Sequence, residues 1–132
     1  MVQYYLDKQI GVTELSELRH SVGWNRMEGS LSDPKLQRFL SVSAYEGGRL
    51  VGYVEAVSNG VTDAYIQDLM VHPEWQGREI GTHLMNIAID EIKKRGIYML
   101  SVIYGETALK DFYEKFGFFS MLCGQMPLRD EE

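Results

Sequence analysis

One stretch, residues 63 to 96, restricts the fold more than any other part of the chain. Tyr65 to Val71 is short and largely apolar and follows an Asn59-Gly60 turn signal, a pattern that predicts a strand buried on both faces. Pro73 stops it. From Ile80 the apolar positions Ile80, Leu84, Ile87, Ala88 and Ile92 share one helical face, while Glu79, His83, Asn86, Asp90 and Lys93 fall elsewhere. Lys93, Lys94 and Arg95 complement the C-terminus of that helix, and Gly96 supplies a left-handed cap.

The other elements arrange themselves around this unit. Residues 2 to 6 are β-prone, Thr13 is placed to cap a helix carrying Leu15, Leu18 and Val22, and Gly23 ends it. Asp33-Pro34 predicts a second helix start, with Leu36, Phe39 and Leu40 on one side, and residues 23 to 30 between the two helices predict a loop. Ser41 to Tyr45 and Arg49 to Val57, joined by Glu46-Gly47-Gly48, predict a hairpin that leads through Ser58-Asn59-Gly60 into the strand at 63 to 71. The long helix then returns to a strand at Tyr98 to Tyr104, which a crossover makes parallel to the central one. A helix over Ala108 to Phe116, a final strand over Phe118 to Met126 and a fraying tail from Arg129 to Glu132 complete the chain. The expected fold class is α/β, a mixed sheet with helices on both faces: an antiparallel meander plus one strand-helix-strand crossover. Its 132 residues are expected to form one domain, 1–132.

The turn between strand and helix carries the chemistry. At Gln76-Gly77-Arg78-Glu79-Ile80-Gly81-Thr82, free N–H groups and the positive end of a helix dipole face outward together, which suits an anion and above all a pyrophosphate. Gly77 and Gly81 let a ligand approach the backbone, and Arg78 and Thr82 can add donors; the competing reading is an ordinary tight turn. Neither the G-x-G-x-x-G fingerprint nor the G-x-x-x-x-G-K-[ST] loop can be laid on these glycines, so nicotinamide and nucleoside-triphosphate readings drop.

Val71 to Gly81 resembles motif A of the GCN5-related N-acetyltransferases, whose turn reads [R or Q]-x-x-G-x-[G or A] and holds the pyrophosphate of acetyl-coenzyme A (acetyl-CoA). Phe112-Tyr113-Glu114-Lys115-Phe116-Gly117-Phe118 resembles the same family's motif B at the expected distance. The resemblance is close over the second half of the chain and one of pattern over the first. It implies a GNAT-like fold and an enzyme that transfers acetyl from acetyl-CoA to a primary amine, of a small molecule or a protein, by direct attack in a ternary complex. Because proteins of the family often dimerise, it also admits a homodimer. The alternative is a non-catalytic acyl-CoA-binding sensor or interaction module of the same fold. An interaction protein that binds no coenzyme is a third reading.

The resemblance also implies the site residues. Leu69, Met70 and Val71 would hold the pantetheine arm by their backbone, and Gln76, Gly77, Arg78, Glu79, Ile80, Gly81 and Thr82 the pyrophosphate. Tyr113 would approach the coenzyme sulfur, and a phenol with a pKa of about 10 can protonate a leaving thiolate. Asp68 is a candidate base or amine ligand, or an aspartate satisfied by backbone; simple alternation sets it opposite Gln67 and Leu69. Glu55 and Glu106 are further base candidates, Glu55 also a weak candidate for substrate binding. Trp24 and Met27 either wall the acceptor pocket or, for Trp24, plug the core. Two positions depart from the family: Glu79 where glycine is usual, and Glu106 where asparagine is frequent.

Composition narrows the partners. A net charge of −6 argues against nucleic acid and favours cationic substrates. No apolar run approaches a membrane span and no signal-peptide pattern opens the chain, so no membrane partner is expected. One cysteine, Cys123, fits a cytoplasmic setting and a buried structural thiol, and three scattered histidines predict no metal site.

Overall fold

The computed structural model describes residues 1–130. Five strands form one sheet in chain order: β1 (Gln3–Leu6), β2 (Leu40–Glu46), β3 (Arg49–Ser58), β4 (Asp63–Val71) and β5 (Met99–Val102). The first four are antiparallel neighbours, and β5 lies parallel to β4. The β2–β3 turn takes positive φ at Gly47 (58°) and Gly48 (79°), the two-residue geometry whose twist matches that of a hairpin.

Helices cover both faces. On one side α1 (Val12–Ser21) packs Leu15 and Leu18 against Leu50, Tyr53 and Met70. On the other, α3 (Ile80–Lys94) buries Ile80, Leu84, Met85, Ala88 and Ile92 against β2, β3 and β4. Met85 joins the buried face and Ile87 sits at its flank, since the sheet covers a broader arc than the narrowest apolar stripe. Gly96 takes φ 81° just past the helix, as its position predicts. Short α2 (Glu28–Leu31) follows α1, and α4 (Thr107–Glu114) follows β5.

Several expectations give way. The helix at Asp33-Pro34 does not form: Asp33 accepts from the Lys35 N–H through its side chain and from the Leu36 N–H through its carbonyl, closing a turn. Leu40 instead opens β2, fully buried, and the helical turn lies in the presumed loop, as α2. Thr13 is inside α1, which starts after Gly11 without a side-chain cap. The stretch 118–126 is not a strand, and its side chains are largely exposed, Cys123 included. Arg129 donates to Ser30 Oγ, and residues 131 and 132 of the expected fraying tail lie outside the described residues.

Gly52 sets how closely α3 approaches the sheet. A Cβ there would lie 3.0 Å from Ile80 Cγ2, 3.1 Å from Leu84 Cδ1 and 3.3 Å from Ala44 Cβ, all fully packed neighbours. We expect Gly52→Ala to destabilise the fold by about 1–3 kcal/mol, the usual range for an overpacked core, in urea denaturation.

Candidate functional site

The site begins with one extra residue in β4. Tyr53 pairs with Met70 and Glu55 with Gln67, so two residues, Asp68 and Leu69, oppose Val54 alone. Asp68 takes φ 55° to accommodate the bulge. Alternation fails here, and the expectation that Asp68 faces away from Gln67 fails with it. Gln67 shares a face with its cross-strand partner Glu55, and Asp68 turns to the same α1 side.

Beyond the bulge β4 leaves β5. Their pairing runs from Asp63–Met99 to Ile66–Val102 and stops, so the later part of β4 has a free edge toward β5. The His72 N–H donates to Val51 on β3, so strand alternation points the Val71 and Leu69 N–H groups into the opening. The cleft measures about 800 Å³ and is lined by Leu69, Val71, Gly81, Tyr104, Phe112 and Tyr113 among others. The expectation that β4 is buried on both faces is therefore wrong: Ala64, Ile66 and Met70 are buried, but Tyr65, Gln67 and Leu69 are half-exposed.

At one end of the cleft stands the N-terminus of α3. Gly77 has φ 82° and Glu79 φ 62°, with Arg78 between them outside the positive range, an alternation that turns successive N–H groups to one side. The helix ladder begins with the His83 N–H donating to the Glu79 carbonyl, which leaves the N–H groups of Ile80, Gly81 and Thr82 without intrahelical partners. Lys115 extends across from the end of α4 to within 3.3 Å of Thr82 Oγ1. It is a cation at this turn to which sequence reasoning gave no role. Its place three residues after Phe112, over whose ring its Nζ sits at 4.8 Å, was the available signal. Glu79 occupies a left-handed position that glycine fills without strain, which gives a physical reason for the family's usual glycine. Its side chain is exposed and caps nothing.

The other anticipated residues divide. Gln76 lines the cleft and its amide donates to the Val71 carbonyl, bracing the end of β4. Ile80 and Met70 are core side chains, so only their backbone is available. Arg78 lies over the Trp75 ring and donates at 3.5 Å to the Glu74 carbonyl. Trp24 is 39% exposed and lines the cleft, so it does not plug the core; Met27 does not reach the cleft and takes φ 52° before α2.

Tyr113 is 6% exposed, stacked on Tyr104 with ring centroids 5.0 Å apart. Burial first, then the nearby Tyr65, pushes its phenol above the ordinary value, so it stays protonated. No hydrogen bond is formed by its hydroxyl within the described residues. Tyr104 and Tyr65 are cleft residues that sequence reading passed over as strand side chains.

The two carboxylates on the α1 face are both engaged. Asp68 Oδ2 accepts from Arg19 at 2.8 Å, and Arg19 also donates to the Asn25 backbone and side chain while lying over Trp24. The pair ties loop 23–27 to the bulge. Glu55 is 4% exposed and meets Arg38 at 3.1 Å. It does not line the cleft, whereas Glu106 does. Burial pushes the Glu55 carboxyl above the usual range despite the opposing pull of Arg38.

Comparison with known proteins supplies the family. The profile of the acetyltransferase (GNAT) family matches residues 5–118. The chain belongs to this family. Two relatives, each named as an uncharacterised ycf52 N-acetyltransferase, are 27% identical in Pyropia yezoensis and 29% identical in Porphyra purpurea. The matches cover 85% and 84% of this chain and 67% and 66% of those proteins, so the chain spans about two thirds of their length. A probable acetyltransferase from meticillin-resistant Staphylococcus aureus superposes with a TM-score of 0.81 at 24% identity, over 98% of this chain and 100% of that one. The ribosomal-protein-S18-alanine N-acetyltransferase of Escherichia coli superposes at 0.78 with 20% identity, over 92% and 80%. These likenesses show a GNAT fold, as the resemblance of the two motifs implied.

Glu55 offers a test of the site's electrostatics. Its folded-state pKa is raised, so near that pKa the native state binds more protons than the unfolded chain and stability falls as pH rises. Glu55→Gln removes this contribution. We expect the stability of wild type relative to the glutamine variant to increase as pH is lowered from neutrality toward the ordinary carboxylate range, in urea melts at a series of pH values.

Proposed function

We propose that the protein transfers an acetyl group from acetyl-CoA to a primary amine. The observation that carries this is the meeting, in one cleft, of the free β4 edge, the bare α3 N-terminus and the buried Tyr113. The family's co-substrate has a chemically matching part for each. Ile80, Gly81 and Thr82 N–H groups, with the Lys115 ammonium, would hold the pyrophosphate; Leu69 and Val71 N–H groups would hold the pantetheine amides and the acetyl carbonyl. Gly81 leaves space at the entrance: a Cβ there would already be in van der Waals contact, 3.7 Å from Phe112 Cζ and 3.8 Å from Val71 Cγ2, so a bulky side chain would compete for that space.

Transfer needs a neutral amine whose lone pair attacks the acetyl carbon. A C–N bond forms, the C–S bond breaks, one proton leaves the amine and one reaches the thiolate. Tyr113 supplies the second proton, since its raised pKa keeps the phenol intact at neutral pH. Glu106, on the cleft wall, and Asp68, through water, are the proton acceptors within the site; Asp68 acts mainly by holding Arg19 and the loop that carries Trp24. The acidic groups at this end favour an acceptor that arrives as an ammonium ion.

Two variants test the reading. Gly81→Trp fills the space between Val71 and Phe112, and titration calorimetry with acetyl-CoA should register no binding while the circular dichroism of the fold is retained. Wild-type affinity in that variant would remove the cleft from consideration. Tyr113→Phe deletes one oxygen from a packed ring; we expect kcat in a thiol-release assay with an amine panel to drop about 10²- to 10⁴-fold, the range for a general acid, with coenzyme affinity unchanged. Full turnover would assign the proton to water.

A further inference from the structure

A second cavity, of about 780 Å³, adjoins the cleft. Residues 99 to 104 wall it on one side and residues 116 to 124 on the other, with Ile89 of α3 between. Its size lies within the range of about 300–1,000 Å³ that small-molecule sites occupy. Ile89, Leu100, Val102, Phe116 and Phe118 rest against the main core yet are only half-buried, and all five line the gap. No Asp, Glu, Lys, Arg or His lines it among the described residues. A space of this kind offers nothing to compensate a charge, so its occupant is neutral and apolar.

Four residues, Tyr65, Val102, Ile103 and Tyr104, line both spaces. Tyr104 marks the passage between them. Its ring stacks on Tyr113 with centroids 5.0 Å apart, and its hydroxyl comes within 3.4 Å of Ser120 Oγ on the far wall of the cavity. Tyr65 stands at the same junction. Burial first, then Asp68 on the cleft side and Cys123 on the cavity side, raises its phenol, which is therefore uncharged where the two spaces meet. The carboxylates stay with the cleft: Asp68 and Glu106 line it, and neither lines the cavity.

We propose that the cavity receives the acyl chain of a medium-chain acyl-CoA, so that the donors of this site extend from acetyl to hexanoyl and octanoyl thioesters. The inference rests on the reading that the cleft binds the coenzyme thioester. In that reading the Leu69 and Val71 N–H groups and Tyr113 hold the reacting end, and Tyr104 is the neighbour of Tyr113 on the side of the cavity. A chain that leaves the acyl carbon past Tyr104 exchanges water for Leu100, Val102, Phe116 and Phe118 with each added methylene. An acetyl group is too short to use them. The acceptor is drawn elsewhere, because its ammonium goes to Asp68 and Glu106. The bonds made and broken are those of acetyl transfer: C–N forms, C–S breaks, and the thiolate takes a proton.

Titration calorimetry with free CoA and with acetyl-, butanoyl-, hexanoyl- and octanoyl-CoA tests the assignment. Affinity should tighten by about two- to fourfold per added methylene, the gain for burying a CH₂. Ser101→Trp fills the cavity and Met121→Glu places a charge in it; both positions are exposed and line the cavity but not the cleft. Each variant should bind acetyl-CoA as wild type does and lose most of the gain for octanoyl-CoA. Acetyl-CoA binding with no dependence on chain length overturns this inference and leaves the cleft assignment standing. Failure of every thioester to bind, acetyl-CoA included, overturns both. A gain that survives in both variants places the chain outside the cavity and also overturns the inference. So does a thiol-release assay in which turnover with acetyl-CoA rises along a series of longer alkylamines while longer acyl donors bring no gain, since the cavity would then hold the acceptor.

Discussion

The bulge at Asp68 and Leu69 is the constraint from which the rest of the site follows. Inserting one residue into β4 between two regular registers stops its pairing with β5 after Ile66 and turns its free edge into an opening. A straight β4 would have continued its ladder and left no cleft. The bulge is not self-sustaining, because Asp68 sits at positive φ, where a side chain costs energy. Arg19 holds it from α1, and the same guanidinium fixes Asn25 and covers Trp24. One half-buried ion pair therefore couples the strand that opens the cleft to the loop that borders it. Losing either partner would leave a charge with little solvent to replace the other, a larger cost than an exposed pair would carry.

The second structural condition is the close approach of α3 to the sheet. Gly52 lets Ile80 and Leu84 sit directly over β3, and this places the N-terminus of the helix at the mouth of the cleft. The glycine turn that precedes it then faces the free edge of β4. Glu79 stands at a left-handed residue of that turn where the motif resemblance expects glycine, so backbone strain and a carboxylate beside the proposed anion site come from one residue. Lys115 reaches the same turn from the end of α4, at Thr82 Oγ1.

Much of this was legible in the chain. The strand at 63–71, the amphipathic face of α3, its Gly96 cap and the Gly47-Gly48 hairpin all rest on local rules, side-chain period and backbone freedom, and each stands in the structure. The motifs around Gly81 and Tyr113 pointed to the family for the same reason: phosphate-binding turns and packed aromatic helices are written in contiguous residues. Local rules misled where a competing local bond won, as at Asp33, whose side chain closes a turn on Lys35 in place of capping a helix. They also misled at residues 118–126, which have the composition of a strand and pair with no strand among the described residues.

What sequence alone determined, then, was the central strands and the long helix, their order, the parallel crossover and the pair of motifs, because these depend on neighbours along the chain. Tertiary structure decided the bulge, the split between β4 and β5, the engagement of Asp68 by Arg19 across 49 positions of sequence and the burial of Glu55 under Arg38. Each of these depends on which distant group arrives at a given face. A carboxylate reads the same in sequence whether it ends beside a guanidinium, in solvent or in a cleft. Only packing chooses among them, because desolvation and a partner's charge are properties of a place rather than of a residue.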